Sequence, residues 1–148
     1  PTLALRLLER LPEDTAPLLL LRARVASREH AAAERQLLTW VPDGPAETVA
    51  AARAWLAIGR PERAIELAEE ALADGAGQEA RSVMARAQAR AGRPGVAASL
   101  VAPRAGRDPA ARELLIEALR AGGLDALADE VAASTAPSAA PDGDEHAP

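Results

Sequence analysis

The chain has 148 residues, 49% of them apolar, although Phe and Tyr are absent and Trp40 and Trp55 are the only aromatics. That length suits one domain, or about four hairpins of some 33 residues stacked in a row. Its core must come from Ala and Leu, which serve a helix and leave a sheet short of the β-branched and aromatic residues it prefers. The absence of Cys excludes disulfides, thiolate metal sites and cysteine nucleophiles. A net charge of −5 offers none of the clustered positive surplus that phosphate binding needs.

All seventeen basic residues are Arg, and Lys and Asn are missing, a mark of GC-rich coding. No run of about 18 apolar residues is present, so no membrane span is expected, and the expected location is cytoplasmic. The first segment, Leu3 to Leu11, is amphipathic and stops at Pro12. Residues 1–12 therefore read as the end of a preceding repeat, and the chain is expected to be a piece of something longer.

Residues 13–44 read as one hairpin. Its first helix spans Thr15 to Ala26, with Asp14 as N-cap and Pro17 early in the helix. A turn at Ser27-Arg28 leads to a second helix from Glu29 to Trp40, closed by Val41-Pro42-Asp43-Gly44. Residues 45–77 form the next hairpin. Pro45 to Ile58 is apolar nearly all round, as in a helix covered on more than one side. Glu62 to Asp74 is one-sided, with Ala64, Leu67, Ala68 and Ala71 inward and Glu62, Glu66, Glu69 and Glu70 as a solvated face.

Residues 78–108 predict helices at Gln78 to Ala91 and at Pro94 to Ala102, the second cut short by Pro103, with a loop at Arg104 to Asp108. Residues 109–133 predict helices at Pro109 to Gly122 and Leu124 to Ala133. Residues 134–148, rich in Ser, Ala, Pro and acid, cannot bury enough apolar area to order themselves and read as a disordered acidic tail.

The opening Gly59-Arg60-Pro61 returns 33 positions later as Gly92-Arg93-Pro94, which marks a stacked helical repeat. On this register the chain resembles the tetratricopeptide repeat (TPR) family, in a degenerate Ala/Arg-rich bacterial form. In the second hairpin Ala52 takes the small position and Trp55 the aromatic one of the first helix, with Ala64, Ala68 and Ala71 in the second. Met84, Ala85 and Ala97 are equivalent in the third, and Leu19, Ala32 and Trp40 in the first. Two departures stand out: Ala68 replaces a bulky residue, and Ala76 stands where the closing proline would be.

The resemblance implies an all-α fold, an α-solenoid of antiparallel hairpins wound into a right-handed superhelix over residues 1–133. It also implies that the first helices line a concave surface that receives a protein or peptide. Leu21, Arg24, Val49, Arg53, Leu56, Ser82, Arg86 and Arg90 are then the expected partner-binding residues. Arg53 and Arg86 are equivalent by register. Such a stripe suits a segment bearing carboxylates and apolar side chains. The competing expectation is that these arginines pair within the repeat, for instance Arg86 with Glu79. The Lys and Asn of a chaperone-tail clamp are absent.

Little else points to chemistry. His30 lies at a turn and His146 in the tail, neither with a ligand set on one face. Gly122-Gly123 lacks the preceding strand and following Lys of a phosphate loop and reads as a helix stop. The expected function is a non-catalytic protein-protein interaction scaffold without a cofactor. The alternative is the regulatory or sensory arm of a larger transcriptional regulator or signalling ATPase. Self-association through end hairpins is a third possibility. The acidic tail is long enough to act as a tethered competitor for the Arg stripe.

Overall fold

The computed structural model describes Leu3, Arg6, Leu7, Arg10 and residues 17–134. Among them the chain is all-α, with no strand. Eight helices follow in order: α1 (Pro17–Ala26), α2 (His30–Thr39), α3 (Pro45–Ala57), α4 (Pro61–Ala73), α5 (Gly77–Arg90), α6 (Pro94–Ala105), α7 (Pro109–Ala121) and α8 (Asp125–Ala133). The expected helix over 3–11 falls only partly within the described residues. The expected disordered tail, residues 134–148, lies outside them apart from Ser134.

Proline opens α3, α4, α6 and α7. At that position its missing N–H costs nothing and its fixed φ already suits the helix. The turns inside the hairpins share one structure. The backbone N–H groups of Glu29, Arg60, Arg93 and Leu124 donate to the carbonyls of Arg24, Trp55, Gln88 and Leu119, each at 2.9 Å. Such a closure puts the residue before the donor in the left-handed region, where glycine is at ease. Gly59, Gly92 and Gly123 sit there with φ of 80°, 77° and 74°, and Arg28 fills the same place at φ 59° without being glycine.

Four residues beyond each donor stands an alanine, and Ala33, Ala64, Ala97 and Ala128 are at most 1% exposed. Turn and alanine together define one register through all four hairpins. The first and last intervals are two residues shorter than the middle one.

Helix contacts follow chain order. Each helix touches the next, the odd-numbered helices α1, α3, α5 and α7 touch in sequence, and no helix touches one more than two places away. The backbones of α2, α4, α6 and α8 do not approach one another. The interior accordingly divides into three clusters along the chain. One gathers Leu21, Leu37, Trp55 and Ile65, the next Val49, Ala68 and Val83, and the last Ala85, Val101 and Leu114.

Helix α3 is the most enclosed. Thr48, Val49, Ala51, Ala52, Ala54, Trp55 and Leu56 are all buried, as its apolar circumference requires. On α4 the inward set is Ala64, Ile65, Ala68 and Ala71, with Leu67 half-buried, while Glu62, Glu66, Glu69 and Glu70 are exposed.

The third hairpin corrects an expectation. Pro103 does not end α6, which continues to Ala105, so Arg104 and Ala105 are helical rather than loop. Val101 and Ala105, one turn apart, are 0% and 6% exposed, so burial holds the last turn in place. Pro103 is exposed, and the carbonyl of Ser99 that it leaves unpaired belongs to an exposed residue near the helix end. The usual penalty of about 3 kcal/mol for interior proline is softened there by water. The extra turn also places Arg104 3.6 Å from Asp108, and Asp108 caps α7 through the N–H of Ala110.

Candidate interaction surface

An odd-numbered helix between its own partner and two odd neighbours keeps only a narrow strip for solvent. Leu21, Val49 and Leu56, expected on a binding surface, are instead 1%, 2% and 7% exposed and belong to the interior. The neighbouring helices cover them. They offer no contact area to a partner.

Of the expected residues, Arg53, Arg86 and Arg90 are exposed. Arg53 pairs with Glu79 of the next odd helix at 3.0 Å, both side chains more than half exposed. Glu79 is thus taken from α3 and not by Arg86, as pairing within the repeat would have it. Arg86 is exposed and has no ion-pair or hydrogen-bond partner among the described residues. Arg90, also exposed, donates to the Leu56 carbonyl at 3.3 Å. Its charge therefore sits at the C-terminal, electronegative end of α3. Ser82 is half-buried and returns its hydroxyl hydrogen to the Gln78 carbonyl.

Arg24 departs from the expected stripe. The turn register makes it the equivalent of Trp55 and Gln88. It is half-buried, with Nη1 donating to Gln36 Oε1 at 3.0 Å while Gln36 Nε2 donates to the Pro17 carbonyl at 2.6 Å. The equivalent of Arg53 and Arg86 in the first hairpin is Arg22, which is exposed and has no partner among the described residues. Sequence reading passed over it because the first turn carries Arg28 where the others carry glycine, so nothing marked the shorter repeat. In the fourth hairpin the same place is held by Glu117, with Glu113 one turn before it, both exposed.

No family model, curated protein or solved structure matches the chain. What this surface can do therefore rests on its own chemistry. Arg22, Arg53 and Arg86 form a row of guanidinium groups, each able to hold a carboxylate by two parallel hydrogen bonds.

Elsewhere, His30 is exposed and Glu34, one turn on, accepts from Arg60 Nε at 3.0 Å. Among the described residues no three His, Asp or Glu side chains gather as metal ligands. No helix there is long and apolar enough to cross a membrane. On the other side of the molecule a cleft of about 270 Å³ opens between α2 and α4.

Proposed function

We propose that the chain is a non-catalytic protein-protein interaction module, a TPR-like right-handed solenoid whose inner wall is made by α1, α3, α5 and α7. The observation that carries this reading is the asymmetry of the contacts: odd helices touch one another and even helices do not. A row of hairpins packed closely on one side and open on the other bends toward the close side. The inner wall of such an array is a largely preformed groove, so little ordering cost attends binding.

The partner is an acidic segment lying across α1, α3 and α5. Helices in contact lie about 8–10 Å apart, and a polyproline II strand repeats every three residues, or about 9 Å. Carboxylates at every third position would therefore meet Arg22, Arg53 and Arg86 in turn. Glu113 and Glu117 end the basic row and set how far the acidic part extends. The reading includes no cofactor and no catalysis.

A fluorescent peptide with Glu at every third position among Pro and Leu tests it by anisotropy. The intact chain binds, more weakly as salt rises, and the Arg22→Ala, Arg53→Ala, Arg86→Ala triple variant binds at least about tenfold less, as loss of charge-assisted bonds requires. Equal affinity in both chains would move the partner off this face.

A further inference from the structure

A cleft opens between α2 and α4, away from the arginine row. Five residues, Trp40 to Gly44, join the first hairpin to the second, against the tighter links at 74–76 and 106–108. Helix α2 consequently touches α3 only lightly. The gap between α2 and α4 becomes a cleft with Trp55 at its floor, Leu38 and Trp40 on one wall and Leu67 on the other. Leu38 is 64% exposed and Trp40 and Leu67 are half-buried, so large apolar side chains gather at this lip instead of scattering singly.

The far rim carries Glu66 and Glu70 beside one cation, Arg63. Glu66 and Glu70 line the cleft one helical turn apart, with Glu62 and Glu69 beside them on the exposed face of α4. The only cation on that helix, Arg63, is engaged with Glu66 at 2.6 Å, both side chains about 60% exposed. Glu69 and Glu70 have no ion-pair partner among the described residues. An exposed pair of this kind gives way readily to a competing cation.

We propose that this cleft receives a basic amphipathic helix from a partner protein. One of its apolar side chains enters between Trp40 and Leu67, and two Arg or Lys residues four apart meet Glu66 and Glu70. The fit has two parts. The cleft, about 270 Å³, takes roughly one or two large side chains and sits just under the ~300–1,000 Å³ of small-molecule sites. Carboxylates one turn apart on α4 match cations one turn apart on a facing helix, the helix-in-groove mode of recognition. Since the row on the odd helices takes acidic segments, the two faces select partners of opposite charge.

Trp40 and Trp55 are the only tryptophans in the chain, and both line this cleft; Trp40 also borders a second cleft between α1 and α2, so the Glu66 and Glu70 variant assigns an emission change to this one. The probe is a synthetic amphipathic helix of Leu, Ala and Arg, with a matched peptide carrying Glu for Arg. Adding the Arg peptide is expected to shift the Trp emission in a saturable way. The Leu38→Asp variant, which alters only an exposed position, and the Glu66→Gln, Glu70→Gln variant each weaken the response at least tenfold. Circular dichroism checks that both keep the helical content of the parent. The Arg53→Ala, Arg86→Ala variant responds as the parent does, which separates this site from the acidic-segment surface. A response equal for the Glu peptide, one that survives Leu38→Asp, or emission that changes with protein concentration alone would overturn the proposal. The last result would assign the cleft to a second copy of the chain.

Discussion

The backbone N–H of Arg60 closes on the carbonyl of Trp55 at 2.9 Å, and this one bond requires Gly59 to sit at φ 80°. A Cβ at Gly59 would meet nothing within 4 Å, so the cost of replacing it is torsional alone. Gly59→Ala is expected to lose about 1–2 kcal/mol, the penalty of a left-handed L-residue. The reverse change, Arg28→Gly, relieves the same strain in the first hairpin and is expected to gain up to about 1 kcal/mol, reduced by the greater chain entropy of glycine. Denaturant titrations of both variants check the opposite signs.

Trp55 is 6% exposed and packs in the cluster that joins the first two hairpins. Truncating it to Ala should cost roughly 3–5 kcal/mol, a large part of a small domain's stability. Because contacts pass only between neighbours, the loss should be local. Hydrogen exchange is expected to accelerate in α1 to α4 and to change little in α7 and α8. Uniform acceleration along the chain would mean that the hairpins unfold as one unit.

Among the described residues the helices other than α6 were readable from the sequence to within a residue or two because proline starts, glycine stops and helical spacing agreed. Pro103 misled because a local rule was set against the burial of Val101 and Ala105, and burial won. The candidate surface was less legible. Periodicity cannot tell a residue under a neighbouring helix from one facing solvent, so Leu21, Val49 and Leu56 were misplaced. Arg22 was hidden by the missing glycine at Arg28. The cleft depends on the slack given by residues 40–44, which no spacing pattern reveals.

Ala64 and Ala97 hold equivalent places and are 0% and 1% exposed. A larger side chain at either would have to push paired helices apart. Ala64→Leu is expected to cost at least about 1–3 kcal/mol, as overpacking of a dense core does, despite the better apolar transfer energy of Leu. A thermal melt at unchanged or higher temperature would show that the hairpin has slack at this layer.

The Arg53–Glu79 bridge joins two odd helices, yet both side chains are more than half exposed. Solvent screening limits such a pair to about 0.2–1 kcal/mol, and a double-mutant cycle on Arg53→Ala and Glu79→Ala should return a coupling in that range that shrinks as salt rises. A small coupling has a consequence for binding. Glu79 occupies the Arg53 guanidinium in the free chain, so an arriving carboxylate must displace it, and Glu79→Ala is expected to raise affinity for an acidic segment while Arg53→Ala lowers it. Anisotropy on the two single variants separates these effects. If both lower the affinity alike, Glu79 is holding Arg53 in its binding geometry and is not competing for it.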